Sequence, residues 1–155
     1  MCDNLKEDNA RQLFLEGYNC SQSVLLAFAG ELGLDKNTAS AISSSFGGGM
    51  GRLREVCGAV SGMFMAAGLR FGGYAPDDRE GKKDHYARIQ ELARRFEAEN
   101  GSIICRELLG LEQKIDEPTP EKRTGEYYKK RPCAELVACA AKIFDEYCKE
   151  QENSL

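Results

Sequence analysis

Apolar residues recur at steps of three and four along most of this chain, and no segment alternates in the strand pattern over a useful length. Residues 5–15 carry Leu5, Leu13, Phe14 and Leu15 on an amphipathic helix that Gly17 is placed to end. In NCSQSVLLAFAGELG, Asn19 suits an N-cap, Gln22 falls where a capping box needs it, and Val24, Leu25, Phe28 and Leu32 form the apolar face. Cys20 then takes the first helical position, and Gly33 stops the helix. A third helix is expected over Asp35 to Phe46, with Ala39 and Ile42 inward.

The stretch GGGMGRLREVCGAVSGMFMAAGLRFG organises the rest: a glycine turn (Gly47, Gly48, Gly49, Gly51) runs into a helix expected over 52–72, with Leu53, Cys57, Val60, Phe64, Ala67 and Phe71 on one stripe. Residues 56–69 are apolar or small nearly all the way round, the pattern of a helix surrounded by others. It is too short and too closely bracketed by Arg54, Glu55 and Arg70 to span a bilayer, which takes roughly 20 apolar residues. Gly58, Gly62 and Ala66 sit four apart and leave one side without bulk. Each interior glycine costs about 0.5–1 kcal/mol of helix stability, so close packing must offset it.

Farther on, residues 78–100 are charged but hold Tyr86, Ile89, Leu92, Ala93 and Phe96 at helical spacing, which predicts a long half-exposed helix ended by Asn100 and Gly101. Ser102 can cap a short helix with Cys105 in its first turn. Residues 111–131, rich in charge and broken by prolines, read as a solvated connector or a lid. Pro132 suits a helix start, with Cys133 beside it and Leu136, Val137, Ala140, Ile143, Phe144 and Tyr147 inward; the tail QENSL is expected to fray. The expected fold is all-α, a single-domain helical bundle of about six or seven helices around the buried Gly/Ala-rich helix.

Composition narrows the function. A chain of 155 residues can bury a core without disulfide staples, and a net charge of −4 argues against a general nucleic-acid binder. Asp3, Lys6, Glu7 and Asp8 stand where a secretory signal would be apolar, so a cytoplasmic, thiol-reducing setting is expected. Seven cysteines there exceed what packing usually recruits, and an odd count does not make a secreted framework.

Cys20, Cys105 and Cys133 each fall in the first turn of an expected helix, and Cys57 lies early in the central one. Helix N-termini favour thiolate, the form that binds metals and attacks disulfides. Four thiolates brought together suit an iron–sulfur cluster, or zinc as the alternative. A pair, with Cys57 as nucleophile, could instead exchange disulfides. Each cysteine taken singly could also be a small core hydrophobe. Cys2, Cys139 and Cys148 lack matching positions, and no C-x-x-C exists, which leaves thioredoxin-type and haem-attachment sites without support. The glycine turn could form an anion nest, but no G-K-[ST] follows and nucleotide binding is not expected. His85, alone on a charged helix, reads as solvated; Arg131, with Lys129 and Lys130, could offset charge near Cys133, and Ser21, Gln22 and Ser61 could donate to sulfur.

These anchors resemble a known pattern. GYNCSQSVLLAF around Cys20, the glycine turn and CGAVSG around Cys57, ICRELLG around Cys105 and RPCAELV around Cys133 are similar, in order, to the C_GCAxxG_C_C family of redox-active proteins, from about Gly17 to Val137. Here Val56 rather than Gly precedes Cys57. The resemblance implies redox or metal-binding work by Cys20, Cys57, Cys105 and Cys133 together. It also extends to part of split-Soret-type multihaem cytochromes, whose haem motif C-x-x-C-H is absent here. The resulting expectation is a cytoplasmic protein whose four cysteines bind an iron–sulfur cluster for electron transfer with a redox partner protein, with neither membrane nor nucleic-acid partner. A thiol–disulfide oxidoreductase, a zinc protein and a structural module are the alternatives; a homo-oligomer through the central helix, and whether the chain is an enzyme, stay open.

Overall fold

A computed structural model of the chain describes residues 5–112 and 115–154. It is a helical bundle: α1 (Lys6–Leu15), α2 (Cys20–Ala29), α3 (Lys36–Ser43), α4 (Gly58–Phe71), α5 (Arg79–Asn100), α6 (Cys105–Leu108), α7 (Gly125–Lys130) and α8 (Cys133–Asn153). Among the described residues no strand forms; Val56 and Ile104 make one isolated antiparallel bridge. No helix among them is long and apolar enough to cross a membrane.

α4 is the buried centre. It packs lengthwise on α2 and touches α5 and α8, while α1 lies along α8. The glycines that cost α4 intrinsic stability permit this approach: a Cβ on Gly62 would stand 2.6 Å from the Ser21 carbonyl, and one on Gly58 would overlap the Cys20 sulfur. Val60, Met63 and Ala67 fill the core with Val24, Leu25, Leu92, Phe96, Val137 and Phe144, all at most 1% exposed.

Several boundaries differ from the sequence expectation. The central helix begins at Gly58 and not at residue 52, because the backbone of 50–54 takes positive φ at Met50, Gly51, Arg52 and Arg54. Cys57 is therefore the residue that caps α4 and not one within it, and Leu53 points outward, 45% exposed. The third helix ends at Ser43 and passes into a 3₁₀ turn (Ser44–Phe46); within the helix Ile42 faces solvent, 52% exposed, while Ala39 is buried. The connector contains α7, capped by the Thr124 hydroxyl, and α8 continues to Asn153 where fraying was expected. His85 is buried, not solvated: it packs by Tyr74 and shares a 3.0 Å hydrogen bond with Arg88. Cys2 lies outside the described residues.

Candidate functional site

The helix starts that carry the four cysteines meet at one end of the bundle. Cys20 opens α2 behind a complete capping box, in which Asn19 accepts from the Gln22 amide and Gln22 accepts from the Asn19 amide. The Asn19 side chain also donates to the Ser44 carbonyl at 3.0 Å, fixing α2 against the turn after α3. Cys57 caps α4, Cys105 opens α6, and Cys133 opens α8.

Two strips of backbone hold Cys57 and Cys105 side by side. The Cys57 amide donates to the Ile103 carbonyl at 2.8 Å, and the Cys105 amide donates to the Glu55 carbonyl at 2.6 Å. The glycine turn closes on them from the other side, with the Glu55 amide donating to the Gly49 carbonyl at 2.9 Å. Gly49, at φ 72°, lies so near that an added Cβ would stand 2.6 Å from the Cys105 Cβ. Met50, Arg52 and Arg54 also take left-handed backbone, at φ 69°, 66° and 59°. Each such non-glycine residue costs of order 1–3 kcal/mol, strain that persists only where the surroundings fix it.

The result is a cavity of about 420 Å³ whose wall includes Cys20, Cys57, Cys105 and Cys133. Residues 118–131 of the connector form one side of it, so this segment is neither a mere solvated link nor remote from the chemistry. Cys139 and Cys148 are not in the wall; Cys139 donates to Glu99 at 2.8 Å. Ser61 is absent from it as well, and Gln22 serves as a cap, donating its amide to Ser40 at 3.0 Å.

Electrostatics overturn one expectation. Helix N-termini were expected to lower the thiol pKa values, but burial outweighs them. It pushes Cys57 well up, raises Cys20, and lifts Cys133 to about 12. The Gly48 amide at Cys20, the Ala59 and Val60 amides at Cys57 and the Tyr127 hydroxyl at Cys133 favour the ionised forms but only partly compensate. Charge on Cys20 or Cys105 further opposes ionisation of Cys57 and Cys133. The cavity therefore does not hold several thiolates without a cation or a new covalent bond to absorb their charge.

Arginines supply positive charge around it. Arg52, Arg54, Arg123 and Arg131 lie in the wall, where Glu121 is the one carboxylate among the described residues. Arg131 pairs with Glu121 at 2.9 Å; Arg123 donates to the Phe14 and Tyr18 carbonyls and stacks 4.0 Å from the Phe14 ring centroid. Arg54, 4% exposed, donates to the Cys105 sulfur at 3.6 Å and to Asp116 at 2.9 Å. Of the expected counter-charges only Arg131 reaches the cavity; Lys129 and Lys130 face solvent. Arg54, Arg123 and Asp116 were not legible as site residues, since each is brought in by contacts dozens of residues away; Tyr127 was missed on a connector read as solvated, and the left-handed backbone under Arg54 has no glycine to announce it.

Among the described residues, no three His, Cys, Asp or Glu side chains stand at the spacing of one metal ion. Tetrahedral zinc, with Zn–S near 2.3 Å, needs sulfurs about 3.8 Å apart. The four thiols lie in the wall of the cavity of about 420 Å³.

No curated protein and no solved structure matches the chain. The profile of one family does, described as "Putative redox-active protein (C_GCAxxG_C_C)", over residues 18–147, a span that takes in all four cavity cysteines. By that match over most of its length, the chain belongs to the C_GCAxxG_C_C family of redox-active proteins.

Proposed function

We propose that Cys20, Cys57, Cys105 and Cys133 ligate an iron–sulfur cluster and that the protein transfers electrons in a thiol-reducing, cytoplasmic setting. The observation that carries this reading is the convergence of four thiols, from four separate helix starts, on one arginine-lined cavity. The donor set suits the group: iron–sulfur clusters are held by four Cys thiolates, and a cluster so held carries net negative charge, which the four arginines of the wall, set against Glu121 and Asp116, would offset. When bound, the cluster would supply reversible one-electron storage. In this reading the four cysteines would hold the cluster, Arg54 donates to the Cys105 sulfur, the Tyr127 hydroxyl reaches the Cys133 sulfur, and connector residues wall one side of the cavity.

A second reading has one observation behind it. The Cys20 sulfur lies against Gly58, which follows Cys57 in the chain, and charge on Cys20 is felt at Cys57, so this pair is the candidate for disulfide exchange. Burial keeps both protonated, which slows thiol attack and makes this the weaker reading.

Protein purified without oxygen separates the two. Iron and acid-labile sulfide in stoichiometric amounts, with visible absorption lost in Cys57→Ser, are expected. Colourless, iron-free protein that cycles a Cys20–Cys57 disulfide in glutathione buffers would replace the cluster by thiol exchange.

A further inference from the structure

Three charges stand in a row beside Cys105. Asp116 Oδ2 accepts from Arg52 Nη2 at 3.1 Å and from Arg54 Nη2 at 2.9 Å, and Arg54 turns its other terminal nitrogen, Nη1, to the Cys105 sulfur at 3.6 Å. The Arg54 Nε is buried and has no acceptor among the described residues. Nothing in core packing asks for a guanidinium here: burying an incompletely partnered cation on left-handed backbone is unfavourable on both counts. Asp116 is itself placed for the purpose, its amide donating to the Arg52 carbonyl at 3.0 Å.

We propose that Arg54 and Asp116 set the reduction potential of the cysteine site with opposite signs, Arg54 raising it and Asp116 restraining that rise. The inference rests on the cluster reading above. One-electron reduction adds one negative charge to the cluster; the electron comes from an external donor, no bond at Cys105 forms or breaks, and no proton need move. A fixed cation within hydrogen-bonding distance of a ligand sulfur favours the more negative state, because the N–H···S bond strengthens as the sulfur gains charge. Arginine stays charged throughout the accessible pH range, and little water reaches this one to screen it. Asp116, which draws Arg54 and Arg52 toward itself, opposes the effect from the far side of the guanidinium. Arg54 is thus a positioning and charge-setting residue, with no part in ligation.

The test compares wild type, Arg54→Gln, Arg54→Lys and Asp116→Asn, each loaded with iron and sulfide. Each is titrated with dithionite and mediators, read by visible absorption and electron paramagnetic resonance per mole of cluster. Expected are a midpoint potential lowered in Arg54→Gln, a smaller fall in Arg54→Lys and a rise in Asp116→Asn. If Arg54→Gln does not hold the cluster, the opposite signs of Arg54→Lys and Asp116→Asn decide. Shifts in the same direction, the mark of a site merely loosened, or no shift at all, would overturn the inference and leave the cluster reading standing. Wild type that takes up no iron or sulfide would remove both.

Discussion

The two ends of α4 are built on different physics. At its C-terminal end, side chains interlock: Phe28 meets Phe144 edge to face at 4.9 Å, Phe71 meets Tyr147 at 5.8 Å, and the Arg88 guanidinium lies 4.3 Å from the Phe71 ring centroid. At its N-terminal end, backbone meets backbone, Gly58 lies against Cys20, and arginines and thiols line a space instead of filling it. The aromatic end buries area and needs only shape. The cysteine end spends stability on left-handed backbone, a buried cation and a cavity, an arrangement expected where a site is held ready for something else.

The largest effect should come from the end with no chemistry. Phe144→Ala is expected to cost about 3–5 kcal/mol in urea unfolding, the usual loss for a fully buried aromatic. Folded variant should still bind iron in the wild-type ratio, since Phe144 takes no part in the cavity wall. Loss of iron from well-folded Phe144→Ala would mean that the two ends are not separable.

Gly58→Ala should show the reverse pattern. The new methyl meets the Cys20 sulfur and stands 2.8 Å from the Phe46 carbonyl. Overpacking of this kind costs roughly 1–3 kcal/mol, offset in part by about 0.5–1 kcal/mol of helix propensity. The net change in urea midpoint should therefore be smaller than that of Phe144→Ala, yet displacement of Cys20 should abolish iron binding. A variant that keeps full iron content would show that Cys20 can move without consequence.

The thiols also make stability depend on pH in the metal-free, reduced protein. Burial raises the folded pKa of Cys133 from 9.0 to about 12, so above pH 9 the unfolded chain releases a proton that the folded one keeps. Stability is fully present below pH 9 and falls as pH rises toward 12, by up to about 1.4 kcal/mol per unit for such a group. Urea midpoints at successive pH values check this against Cys133→Ser, in which the slope should be shallower. An unchanged slope would place the titration elsewhere.

The same division explains what the sequence disclosed. Periodicity found the aromatic end, because Leu136, Val137, Ala140, Ile143, Phe144 and Tyr147 repeat at helical spacing and all are buried. Local chemistry found the Asn19–Gln22 capping box and the helix starts at Cys20, Cys105 and Cys133. It missed the Arg54–Cys105 contact, which joins residues 51 positions apart through a backbone conformation no residue type announces. It also misjudged thiol ionisation, since a helix start is visible in sequence while the depth at which it is buried is not. His85 escaped for a related reason: its charged neighbour Arg88 covers Phe71 and donates to the Tyr147 hydroxyl, so a charged helix face conceals a buried histidine.

The smallest effect bears on where α3 hands over to the glycine turn. The helical stripe puts Ile42 inward with Ala39, but α3 packs with Ala39 fully buried and leaves Ile42 52% exposed. Ile42→Ser should therefore change urea stability by no more than about 0.5 kcal/mol, as surface substitutions do, and leave iron content untouched. Ala39→Leu, which adds bulk where none fits, should cost roughly 1–3 kcal/mol. Should Ile42→Ser prove the costlier of the two, α3 would be rotated from the position described, and the 3₁₀ turn whose Ser44 carbonyl anchors Asn19 at the cysteine end would need to be rebuilt with it.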